Sequence, residues 1–412
     1  MPLMLESSAM NIRPIVELGE AIERTWQARD YDRTSFSELC SDSLLAARLP
    51  ERVSPEEIVR SSMGSDLPLQ VDPKGKFGQP PITLFRSRRF FIDALFWVDG
   101  TTTIHDHSFS GAFQVLSGSS IETTFAFNVS GEIDGHFQMG SLSIHKTELL
   151  RASDTRGIRS GPTYIHSLFH LDRPSVSIVI RTFWEPAPGV QLRYYPAGFA
   201  YNTFFESDVR DKHVRLAKML RDTDDPLFDS IVGDFVSRAD IHTAFAMIQT
   251  CSKFDARTQE NILERVRNPE VANVFRKWLV DDRRLRMLTT ARGSIRDPDL
   301  RFMLGVLLNV HCRPDALALV SSYATGKDPA SQIASWLRQL STLTTRLQIG
   351  GLPWEPNILG LPVFEEGFEM VLGDFLGERT CEISDRARLF IERLSSLAQL
   401  KPLFRQSLSD KE

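Results

Sequence analysis

The stretch WVDGTTTIHDHSFSGAFQVLSG, residues 97–118, decides the fold. At its centre lies His105-Asp106-His107. Side chains on an extended strand alternate faces, so an H-x-H pair turns both imidazoles to one side. Two such imidazoles are half of a metal site, and a third ligand decides whether the chain does metal chemistry. The segment GPTYIHSLFHLDRPSVSIVIRTF, residues 161–183, supplies the candidate. A Gly-Pro turn leads to Tyr164 and His166, and the β-branched run Val176, Ile178, Val179, Ile180 follows, which reads as turn then strand. His105, His107 and His166 give three neutral imidazole ligands. They leave positions open for water, dioxygen or substrate, which distinguishes a catalytic from a structural site.

These residues resemble the two cupin motifs. Gly100, His105, His107 and Gly118 fall on the first, with Gly111 where that motif usually carries a glutamate. His166 falls on the second, with His170 in its asparagine slot. The stretch TTIHDHSFSGAF is also similar to thiol dioxygenases of the cysteine dioxygenase type, over about residues 80–190. Those are mononuclear non-heme iron enzymes with three histidine ligands and no carboxylate ligand, and they carry helices ahead of the barrel. The resemblance implies an α+β chain built on a cupin (double-stranded β-helix) barrel, and an iron(II)- and dioxygen-dependent oxidoreductase.

The same resemblance nominates residues around the metal. A serine, a histidine and a tyrosine on a late strand form a relay in that family. Here the slots hold Ser177, Val179 and Arg181. The family's carboxylate-binding arginine precedes the H-x-H strand, where Arg86, Arg88 and Arg89 are available. His170 is read as a group that orients a ligand, or as a replacement ligand. Tyr164 lies two residues before His166 and shares its face, as a catalytic hydrogen-bond donor or as packing. Two readings of Arg181 stay open. If Ser177, Val179 and Arg181 face inward, Arg181 places a cation near the metal and needs an anionic partner. If Ile178 and Ile180 face inward, Arg181 is a surface residue.

Composition sets the outer bounds. A chain of 412 residues accommodates two or three domains, and 42% hydrophobic and 25% charged residues are ordinary for a globular protein. The net charge of −5 comes with dispersed Lys and Arg, which excludes a basic nucleic-acid footprint. Cys40, Cys251, Cys312 and Cys381 are far apart and fit a reducing cytoplasm. No apolar run reaches membrane-spanning length, and the first residues do not read as a signal peptide.

Three segments are expected. Residues 1–63 read as helices packed on the barrel, with Ile15, Leu18, Ile22 and Trp26 at helical spacing and a helix start at Ser54-Pro55-Glu56-Glu57. Residues 64–204 read as the barrel, with some eight to ten short strands. Residues 205–412 read as an α-helical domain, with four helices announced by Asp225-Pro226, Asn268-Pro269, Asp297-Pro298 and Asp328-Pro329. That domain is the candidate surface for a homodimer or a protein partner.

Three functions compete at this level. One is an oxygenase using iron(II) and dioxygen. Three neutral ligands leave the metal its full charge, which favours a small anionic substrate such as a thiolate or carboxylate. Another is a cupin lyase, isomerase or hydrolase using zinc, nickel or manganese, since fold does not fix reaction. The last is a non-enzymatic ligand sensor with a helical interaction domain.

Overall fold

The computed structural model describes residues 12–64, 67–71, 77–183, 185, 190–223, 227–251, 256–343, 347–349, 352–354, 357, 359–380 and 383–406. Four helices come first: α1 (Arg13–Gln27), α2 (Phe36–Ala47), α3 (Leu49–Arg52) and α4 (Pro55–Gly64). The apolar stripe of α1 is buried at Ile15, Leu18, Ile22 and Trp26. Ser54 and Glu57 cap α4 reciprocally. The Glu57 amide donates to Ser54 Oγ at 3.2 Å, and the Ser54 amide donates to Glu57 Oε2 at 2.7 Å.

Among the described residues, eleven strands follow. They are β1 (Pro81–Arg86), β2 (Phe90–Trp97), β3 (His105–His107), β4 (Gly111–Ser117), β5 (Ser119–Asp134) and β6 (Phe137–Arg151), then β7 (Thr155–Ile158), β8 (Gly161–His170), β9 (Ser175–Thr182), β10 (Arg193–Tyr195) and β11 (Phe199–Tyr201). One sheet has the order β1-β2-β9-β4-β7, and a second closes in the order β10-β11-β6-β5-β8-β3. The pairings are antiparallel, and the strands form a closed β-barrel and a second sheet.

Strand parity is set by what covers each face. On β9, Val176, Ile178 and Ile180 pack with Phe90, Ile92 and Ala94 of β2 and with the apolar stripes of α1 and α2. Val179, on the opposite face, packs inside the barrel with Leu95, Trp97, Phe113 and Leu168. Both faces are covered, so the alternation of Val176, Ile178 and Ile180 with Ser177 and Arg181 in SVSIVIRT does not separate a barrel face from a solvent face.

Among the described residues, eleven helices follow the barrel strands: α5 (Asp208–Asp222), α6 (Phe228–Val236), α7 (Ile241–Cys251), α8 (Ala256–Leu263), α9 (Pro269–Ser294), α10 (Pro298–Asn309), α11 (Arg313–Tyr323), α12 (Pro329–Thr342), α13 (Phe368–Leu376), α14 (Asp385–Ser396) and α15 (Lys401–Phe404). A two-stranded ribbon, β12 (Leu347–Ile349) with β13 (Leu352–Trp354), interrupts them. Three of the expected caps are formed. Asn268 accepts from the Glu270 amide at 2.9 Å, Asp297 from the Leu300 amide at 3.0 Å and Asp328 from the Ser331 amide at 2.9 Å. The Asp225-Pro226 pair lies outside the described residues. No helix among the described residues is long and apolar enough to cross a membrane.

Compactness divides the chain differently from the change of pattern near residue 205. One unit comprises residues 1–125, 144–189 and 288–412, and the other residues 126–143 and 190–287. Two features of the chain cause this. The far part of β6 pairs with β11, so the tip of the β5–β6 hairpin belongs with the segment after residue 190. Helices from Leu288 onward bury Ile121 on β5, Phe169 on β8 and Leu171 just after it in their own core. The second unit has a separate core of Phe137, Tyr195 and Phe199 with residues of α5 to α9.

Candidate metal centre

His105, His107 and His166 meet in the first unit. His105 and His166 are register partners on β3 and β8. The three ring centroids lie 4.7–5.1 Å apart, and one nitrogen from each ring lies within 4.8 Å of the others. All three side chains are buried.

The hydrogen bonds assign the ring nitrogens. His105 Nδ1 is 2.6 Å from the Thr103 carbonyl oxygen, which only accepts, so Nδ1 carries a proton and Nε2 is the nitrogen left for a metal. His166 Nδ1 lies 3.1 Å from Glu122 Oε1, with the same consequence. His107 Nδ1 is buried with no hydrogen-bond partner. Burial, then the neighbouring His105, His166 and Arg181, push the His107 imidazole well below its usual range, so it is neutral. Three imidazole nitrogen donors without a carboxylate suit a borderline divalent ion such as iron, zinc or nickel. The residues present fit such an ion.

Gly111 explains why no carboxylate joins them. A Cβ at this position would come 1.9 Å from the Ile180 carbonyl oxygen, so the glutamate slot of the motif is closed by backbone.

The imidazoles open on a cavity of about 50 Å³ lined by apolar groups including Leu95, Trp97, Phe109, Phe113 and Val179, with Ser177 and Arg181 on the same wall. At about 10–15 Å³ per water, the space holds about three to five waters or one small organic molecule. Arg181 lines this cavity. Its Nη2 donates to Asp93 Oδ2 at 3.0 Å, while its Nε is buried with no hydrogen-bond partner. The guanidinium lies 4.7 Å from the ring of Phe91 and 5.4 Å from that of Phe109. Asp93 is itself held by Thr83 Oγ1 at 2.8 Å.

Tyr164 and His170 occupy different places. Tyr164 donates its hydroxyl to Glu122 Oε1 at 2.5 Å, and it borders a separate cleft with Ser37, Ser41 and Arg159. His170 lies behind the cavity wall, stacked on Trp97 at 4.4 Å, with Nδ1 between the hydroxyls of Ser120 and Ser175. It is outside the ligand group. Arg86 and Arg88 line an open cleft with Phe183, and Arg89 lies over Tyr31.

Sequence reading missed Glu122 and Asp93. Asp93 is an isolated carboxylate in the apolar run FFIDALF, where a lone acid demands a partner, whereas Glu122 in the polar SSIETTF carries no such mark. The signal at Asp93 was available, although it does not name the partner.

No protein-family model matches the sequence, and no curated protein matches it significantly. Among solved structures the chain is similar to a DMSP lyase from Ruegeria pomeroyi DSS-3, at 15% identity over 34% of this chain and 66% of that one, with a TM-score of 0.22. It is similar to a hydroquinone 1,2-dioxygenase at 12% identity over 25% of this chain and 63% of that one, TM-score 0.19. A third is an oxalate oxidase in complex with glycolate, at 20% identity over 32% and 56%, TM-score 0.18. The match spans less than two thirds of each of these three chains. At such values nothing about activity passes to this chain.

Proposed function

We propose that the protein is a mononuclear metal-dependent oxygenase that holds iron(II) at His105, His107 and His166 and oxidises a small anionic substrate, bearing a thiol or a carboxylate, with dioxygen. The observation that carries this is one cavity shared by three buried imidazoles and a guanidinium with an unpartnered Nε. Bound iron(II) would supply the activation of dioxygen and the electrons for it. The chain supplies the rest. Arg181 receives the anion, because Asp93 engages Nη2 and leaves Nε for a ligand. Ser177 offers a hydroxyl on the same wall, and the phenylalanine and leucine walls exclude bulk water.

The test is anaerobic loading with iron(II), followed by a panel of small thiols and carboxylates with and without oxygen, read by mass spectrometry and an oxygen electrode. Oxygen-dependent gain of oxygen mass in one compound is the expected result. Conversion without oxygen consumption overturns the oxygenase reading in favour of a lyase, isomerase or hydrolase. His105→Ala, His107→Ala and His166→Ala should each lose the one metal per chain, and His213→Ala should not. Arg181→Ala should keep the metal but weaken substrate binding by about 2–4 kcal/mol, with Arg181→Lys recovering part of it. Unchanged turnover in Arg181→Ala would remove the anion site.

A further inference from the structure

The three imidazoles are not equivalent. His105 donates its Nδ1 proton to a neutral backbone carbonyl, and His166 donates to a carboxylate. That carboxylate, Glu122, is fully buried on β5. It pairs across the ladder with Leu168 of β8, which sets it diagonally beside His166.

A buried carboxylate persists only with its charge and lone pairs satisfied. Glu122 meets that requirement in full. Oε1 accepts from His166 Nδ1 and from the Tyr164 hydroxyl, and Oε2 accepts from Arg156 Nε at 3.0 Å. Arg156 is braced in turn by Glu148 at 2.7 Å, and Glu148 by Lys146 at 2.6 Å.

We infer that Glu122 is a positioning residue of the metal centre, which fixes His166 with Nε2 toward the ion and makes it the strongest of the three donors, while Tyr164 and Arg156 hold Glu122 in place. This rests on the three-histidine metal site proposed above. Tyr164 then acts on the site through Glu122 and His166, not through a ligand in the cavity. Outer partners of this kind set both the tautomer and the basicity of a ligating imidazole.

The experiment is a metal titration of the full chain, with cobalt(II) and zinc against a competing chelator, alongside the visible spectrum of the cobalt form. Glu122→Gln keeps the volume and removes the charge. It should weaken cobalt and zinc binding about 10–100-fold and shift the cobalt bands. Glu122→Asp should recover part of the affinity. Should Glu122→Gln alone fail to fold because Arg156 is left uncompensated, Glu122→Gln with Arg156→Met removes both charges, and the same loss is expected. Tyr164→Phe changes neither volume nor charge and should weaken binding by less than tenfold while shifting the same bands. Wild-type affinity and an unaltered cobalt spectrum in the Glu122 variants and in Tyr164→Phe overturn the inference. A wild-type protein that binds neither metal overturns the metal site itself, and the same titration tells the two failures apart.

Discussion

At the scale of single residues, buried groups fix the site and make it sensitive to its surroundings. His170 is the clearest case. Burial, then Arg292 and His166, depress its imidazole to about 3 from the usual 6.5. Below pH 6.5 the unfolded chain therefore takes up a proton that the folded chain refuses. The contribution is full above pH 6.5 and declines as the pH falls toward 3, by about 1.4 kcal/mol per unit. Urea unfolding of metal-free protein at pH 7, 6 and 5 should show a shallower decline in His170→Asn than in the wild type. Equal slopes would mean that His170 titrates normally. Gly111 yields a second prediction. Gly111→Glu restores the motif on paper, yet its Cβ would strike the Ile180 carbonyl. It should lower stability by about 1–3 kcal/mol without adding a ligand, and a melting temperature equal to the wild type would show that Ile180 gives way. The three histidines were readable in the sequence because their spacing encodes a strand face. Glu122 was not assigned, because its link to His166 spans 44 residues and only the β5–β8 pairing creates it.

At the scale of elements, the last turn of α9 reaches the strands that carry the ligands. Arg292 is buried, lies 4.1 Å from the ring of Phe169, and donates to the carbonyls of Gly100 and His170 and to the Thr101 hydroxyl. Residues 100 and 101 lead into β3, and His170 ends β8, so one side chain ties both ligand strands. Burial lowers its pKa to about 10, which leaves it charged at neutral pH. Arg292→Met strands the buried His170 carbonyl, at about 1–3 kcal/mol, and two part-buried acceptors at Gly100 and Thr101 at less. It should cost about 3 kcal/mol or more in urea unfolding, and it should speed chelator-driven zinc release. Unchanged release with lowered stability would confine Arg292 to folding. No local pattern announces this role, since an arginine near a helix end is ordinarily a solvated residue. The parity of β9 was undecided for a related reason. Alternation tells inside from outside only when one face meets water, and α1 and α2 cover the other face here.

At the scale of the whole molecule, the switch from strand to helix near residue 205 was plain in the sequence, but a change of secondary structure is not a domain boundary. The segment from Leu288 on shares a core with Ile121, Phe169 and Leu171. A fragment ending at residue 204 exposes these three side chains, at about 1.5–3 kcal/mol each. That loss rivals the 5–15 kcal/mol that holds a typical domain folded. The fragment should therefore aggregate or bind a hydrophobic dye and take up no stoichiometric zinc. A monomeric fragment with full zinc binding would re-establish a boundary at 205.

A strand covered on both sides has no neutral positions, and β9 is such a strand. Substitutions at Val176, Ile178 or Ile180 disturb the helices beyond it, and substitutions at Ser177, Val179 or Arg181 change what the cavity accepts. Among descendants of this sequence, the two sets would drift under different rules. The first is free only to exchange one apolar shape for another. The second is where a new substrate would leave its mark.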